Sequence, residues 1–215
     1  MSVKIHYFQI RGSVEAARLV LADAGVEFEN VPLALADIEE KKELYQFGRA
    51  PVLEDSDGTV VSLPGPILRY VAQKHGKAGG SAAEKAKVDS ILELVSELRD
   101  HYSKMVYDEE FGDDEKKEEV VGKYFDSAFS ARLSQLEAIL ATNNEGAGYF
   151  VGGDATAADF AVFDVLDNLT RVKEAALEEL PLLGGLKARV AERAAIAAYL
   201  SSDKRYTAVN GNQRG

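Results

Sequence analysis

Cysteine is absent from this chain of 215 residues. That excludes structural disulfides, thiolate metal sites and a thiol nucleophile supplied by the protein. Histidine is scarce: His6, His75 and His101 are far apart in sequence and make a poor case for a metal site. The first residues, MSVKIHYF, hold no apolar stretch of signal-peptide length. No segment reaches the ~20 apolar residues of a membrane span. Excess positive charge is missing too. The net charge is −11 and the pI near 4.8, so nucleic acid and anionic membranes are repelled at long range. A soluble cytoplasmic protein is expected, and any anionic ligand needs a local basic pocket.

What is present is ordinary globular material, 46% hydrophobic and 28% charged. Two rhythms divide it. Up to His75, short apolar runs alternate with helical patterns. VKIHYF reads as a strand, VEAARLVLADAG as a helix closed by Gly25, and FENVPL as a second strand. DIEEKKELY reads as a polar helix, PVLE as a strand, and DSDG as a hairpin turn into TVV. A helix follows from Ile67. This β-α-β-α-β-β-α order predicts a small α/β domain with mixed strand directions over residues 1–75.

GKAGGSA, residues 76–82, reads as a linker. From 83 to 215 the pattern is helical. Val88, Ile91, Leu92, Val95, Leu98 and Tyr102 mark one buried helix face. Tyr124 to Leu140 predicts a second long helix. Thr156 stands three residues before Asp159, the spacing of a helix N-cap. The tail YTAVNGNQRG is polar and expected to be loose.

Four stretches carry a resemblance that spans nearly the whole chain: IHYFQIRGSVEAARLVLADAG, FGRAPVLED, ILRYVAQKHG and ATAADFAVFDVL. In this order they resemble the cytosolic glutathione transferases, most closely the tyrosine-type, sigma-like classes related to mu and pi. The resemblance implies a thioredoxin-like α/β domain followed by an all-α domain, assembled as a homodimer. It also implies glutathione as co-substrate on the first domain and a hydrophobic electrophile in a hollow between the two.

It further implies roles for particular residues. Tyr7 takes the position whose hydroxyl donates to the glutathione sulfur and favours the thiolate, the nucleophilic form. Ala50 precedes Pro51, where the family has a cis peptide, and would meet the cysteinyl backbone. Lys42 and Arg49 fall where relatives hold the glycyl carboxylate, and they also read as solvated surface charges. Ser13 replaces an arginine found near the sulfur in sigma members, while Arg11 is retained as a source of positive potential. Ile38 stands where many relatives carry tryptophan. Phe8, Tyr102, Met105 and Tyr107 are expected walls of the second-substrate pocket, although such residues also serve as plain core. Glu97 matches an acidic residue that the family brings from the partner subunit to the γ-glutamyl amine. It also belongs to an acidic helix stripe.

One departure is large. Relatives place glutamine and serine against the γ-glutamyl carboxylate, and here Leu63 and Pro64 stand in those positions. Proline has no N–H to offer. The expected function is transfer of glutathione to hydrophobic electrophiles, with weakened glutathione binding. The alternative is a catalytically silent relative acting as a carrier of apolar ligands or as a structural or interaction module.

Overall fold

The computed structural model describes residues 2–215. Strand β1 (Val3–Tyr7) leads through a tight loop into helix α1 (Glu15–Asp23), and β2 (Phe28–Pro32) returns parallel to β1. After α2 (Leu35–Glu40), β3 (Val52–Glu54) and β4 (Val60–Ser62) form an antiparallel hairpin. The sheet order is β2-β1-β3-β4, with β3 antiparallel to β1. The DSDG turn closes as its residues predict. Asp55 donates its N–H to the Thr59 carbonyl at 2.8 Å, and Gly58 takes the positive φ of +87°.

Helix α3 (Pro64–Lys74) begins three residues before Ile67, where the apolar pattern places its start. The reason is local. The first N–H groups of a helix have no intrahelical partner, so prolines in the first turn lose nothing, and their φ is already helical. The first helical bond, from the Ile67 N–H to the Leu63 carbonyl, is 3.0 Å. Helix α2 is shorter than expected. The chain leaves it at Lys41 in successive turns that bury Tyr45 against Leu33 and Val52.

Beyond α3 every regular element among the described residues is a helix. Helix α4 (Ala82–Val106) starts at a reciprocal cap, with Ser81 accepting from the Glu84 N–H at 3.2 Å and Glu84 from the Ser81 N–H at 2.9 Å. The single helix expected over 124–140 is two. Helices α5 (Lys117–Tyr124) and α6 (Ser130–Ala141) are joined by a π turn at Phe125–Phe129. Phe125, Ala128 and Phe129 of that turn are all buried. Helices α7 (Ala157–Val172), α8 (Pro181–Glu192) and α9 (Ala194–Leu200) complete the set.

The tail is not loose. Ala208 and Val209 carbonyls accept the N–H groups of Arg11 and Gly12, at 2.9 and 3.1 Å. Val209 and Asn210 are buried. Helix α7 is the central post of the molecule, packing on α1 as well as on α4 and α8. Among the described residues no helix is long and apolar enough to cross a membrane.

Candidate functional site

Tyr7 closes β1, and the chain doubles back just beyond it. Ile10 donates its N–H to the Phe8 carbonyl at 2.7 Å, and Gly12 then takes φ +50°. This brings Gly12 against the Tyr7 ring. A Cβ on Gly12 would lie 2.5 Å from Tyr7 Cε1 and 2.7 Å from its hydroxyl oxygen, so no side chain fits. The close approach lets Ser13 reach the tyrosine. Its N–H donates to the Tyr7 oxygen at 3.3 Å, and its Oγ lies 3.1 Å from the same atom.

Tyr7 opens onto a cavity of about 310 Å³ between the sheet end of the molecule and the helices. Ser13, Pro64 and Gly65 line one side, and Arg99, Tyr102 and Tyr107 of the α4 region the other. Val209 and Asn210 of the tail supply part of its wall. Polar groups are concentrated here. The Tyr102 hydroxyl accepts from the Asn210 amide at 3.2 Å, and the Tyr107 hydroxyl from the Gly211 N–H at 3.0 Å. Asp164, fully buried on α7, pairs with Arg99. Burial pushes its carboxyl up to about 6, against the pull of the Arg99 charge.

The Ala50–Pro51 peptide is cis. The Pro51 carbonyl accepts the Leu63 N–H at 3.1 Å, so positions 50–51 and 63–64 meet beside the sheet. Leu63 has φ +74° and ψ +143°, a region that few residues other than glycine adopt. Pro64 follows as the first helical residue and lies in the cavity wall.

Other expected site residues are elsewhere. The Arg11 guanidinium is buried away from the cavity, donating to the Tyr206 carbonyl at 2.9 Å and to Asp167 at 3.2 Å. Lys42 is exposed and paired with Glu39 at 3.1 Å, and Arg49 is exposed. Glu97 bonds Arg132 of α6, with 3.0 Å to Nε, and this pairing holds its carboxyl below the usual range. Phe8 packs against Tyr7 at a ring distance of 5.5 Å and into the Leu33–Tyr45–Val52 cluster, outside the cavity. Met105 is fully buried core, the role its helical spacing equally suggests. Tyr102 and Tyr107 do line the cavity.

Sequence reasoning missed Arg99, Gly12 as a close-approach residue, and the tail. Arg99 has a trace in sequence, three residues before Tyr102 on the same helix face. Nothing in YTAVNGNQRG signals that it packs over a cavity.

The profile described as "Glutathione S-transferase, N-terminal domain" matches residues 3–73, and "Glutathione S-transferase, C-terminal domain" matches 96–203. The chain is similar to a glutathione S-transferase of Dirofilaria immitis, 32% identical over 213 residues that cover 99% of each chain. It is also similar to S-crystallin SL11 of Nototodarus sloanii, 31% identical over 93% of this chain and 95% of that one. Among solved structures, the pi-class glutathione S-transferase of Onchocerca volvulus superposes with a TM-score of 0.89, at 31% identity and full coverage of both chains.

Proposed function

The chain belongs to the glutathione S-transferase family, and from that footing we propose that it joins reduced glutathione to hydrophobic electrophiles. The observation that carries this reading is the Tyr7 hydroxyl at the cavity, its oxygen accepting the Ser13 N–H at 3.3 Å with the Ser13 hydroxyl 3.1 Å away. With one lone pair held by that backbone donor, the phenol's own proton is free to serve a sulfur. A thiolate is the better nucleophile, and a hydrogen bond to the charged form favours it. The thiol proton passes to solvent, and a carbon–sulfur bond forms at the electrophilic carbon. A halide then leaves, or an activated double bond takes up a proton from water.

In this reading the α/β part, 1–75, holds glutathione, 76–82 links it, and 83–215 supplies the second-substrate wall. The end of α3 at Lys74 and the cap at Ser81 support that division. Glutathione lies along the edge formed by Ala50, Pro51, Leu63 and Pro64. Lys42 and Arg49, both exposed, are assigned to the glycyl end. The working unit is a cytoplasmic homodimer. The resemblance to cytosolic members supports it, as does Phe47, 61% exposed on the loop before Pro51. Glu97 would serve the partner's γ-glutamyl amine by exchanging its Arg132 bond.

A specific observation favours a second reading. Pro64 offers neither hydroxyl nor N–H where the γ-glutamyl carboxylate would sit, and a silent relative binding apolar ligands would keep the same fold. Calorimetric titration with reduced glutathione up to millimolar concentration separates the two. Transferase function expects saturable binding, and Tyr7→Phe should keep that binding while losing most turnover of an aryl chloride. No heat and no thermal shift would leave the silent reading standing.

A further inference from the structure

Arg99 projects from the C-terminal half of α4 and donates in two directions, from Nη1 to the Asp164 carboxylate and from Nη2 to the Gly12 carbonyl oxygen. That carbonyl belongs to the same peptide unit as the Ser13 N–H, the group that donates to the Tyr7 oxygen at 3.3 Å. The two ends of a peptide are coupled by resonance. A cation bonded to the oxygen draws density from the nitrogen and strengthens the N–H as a donor, as in any polarised chain of hydrogen bonds.

We propose that Arg99 is a positioning residue for Tyr7, acting through the single Gly12–Ser13 peptide. It orients that peptide and polarises it, so that the Tyr7 hydroxyl becomes a stronger donor to the glutathione sulfur. The proposal rests on the transferase reading of Tyr7 given above. Asp164, fully buried, holds the guanidinium in place from α7. Behind it, Glu15 of α1 pairs with Arg205 of the tail region at 3.0 Å, so that charge pair is already balanced. Of the acids on the same cavity wall, Glu93 is paired with Arg69, and Asp100 follows Arg99 directly. The helical part of the molecule therefore reaches across the cavity to the tyrosine on β1.

A plain clamp between the two parts would give the same contacts but a different response to mutation. The full chain carrying Arg99→Met or Arg99→Lys is assayed with glutathione and chlorodinitrobenzene across pH. In Arg99→Met the rising limb of kcat/KM should move up by about one pH unit, roughly tenfold in rate at neutral pH, and the loss should close at high pH. Arg99→Lys keeps the charge but loses the longer, rigid fork that spans Asp164 and Gly12, so it should fall between. Without glutathione, the Ser13 amide proton in proton–nitrogen NMR should shift upfield in Arg99→Met. Either signal standing still in a folded, active variant overturns the proposal, and a uniform loss at every pH marks a clamp. If the wild type shows no turnover, the transferase reading fails, and the Ser13 amide alone then decides the coupling. If Arg99→Met does not fold, Arg99→Lys carries both measurements.

Discussion

At the scale of single residues, the site is unusual at positions 63 and 64. Leu63 holds a backbone conformation that costs on the order of 1–3 kcal/mol for a residue with a side chain. It is kept there by the bond from its N–H to the Pro51 carbonyl and by the helix that starts immediately after. Pro64 suits that helix start and removes the donor. A charge-assisted hydrogen bond contributes about 1.5–3 kcal/mol. The double variant Leu63→Gln with Pro64→Ser should therefore tighten glutathione binding at least about tenfold, read by the same calorimetry. An unchanged affinity would mean that the γ-glutamyl end lies elsewhere on the surface.

Among the elements, α7 shows most clearly how a local signal becomes architecture. Its Asp159 carboxylate accepts the Thr156 N–H and hydroxyl, each at 2.8 Å, and the Phe150 N–H at 2.8 Å. Asp159 is fully buried, and burial pushes its carboxyl up, against these hydrogen bonds. The cap thus also fastens the loop that arrives from α6. Thr156→Ala removes a hydroxyl donor from a buried acceptor and should cost about 1–2 kcal/mol in urea unfolding, with little change in the slope of the transition. A loss below a few tenths of a kcal/mol would show that the backbone bonds alone suffice. The break between α5 and α6 is the opposite case. Its apolar residues continue with helical spacing, and the π turn is visible only once Phe129 is seen between its aromatic neighbours Tyr124 and Phe125.

For the whole molecule, buried charge joins the two parts. Arg18 and Glu15 are fully buried on α1, and Glu15 meets the Tyr199 hydroxyl at 3.1 Å. Arg205 and Arg11 both bond Asp167 of α7. Asp164 is the member with a useful titration. Its carboxyl is raised to about 6 by burial, so the folded state holds a proton that the unfolded chain releases near 4. Its contribution to stability is therefore present below about pH 4, declines as pH rises toward 6, and is level above that. In Asp164→Asn that decline should vanish, a difference of at most about 3 kcal/mol between pH 4 and pH 7 relative to wild type. Denaturant melts at a series of pH values measure it. Parallel profiles for the two proteins would show that Asp164 does not titrate in this window.

The order of strands and helices was legible in the chain because it rests on short-range physics: apolar periodicity, the DSDG turn, the Thr156–Asp159 spacing. Tyr7 and the 63–64 departure were legible only through the family resemblance, since apolar periodicity alone leaves Tyr7 a strand-end aromatic and starts the helix at Ile67, three residues after its true beginning. The burial of Arg11, the pairing of Glu97 with Arg132 and the packing of the tail were not. Each depends on a partner 35 or more positions away, and a local pattern carries no record of it. Arg99 shows the limit best. In sequence it is one charge on an amphipathic helix. Only folding sets it between a carboxylate 65 positions downstream and a carbonyl 87 positions upstream, because α4 packs on α7, and α7 packs on the α1 helix that follows the Gly12 loop.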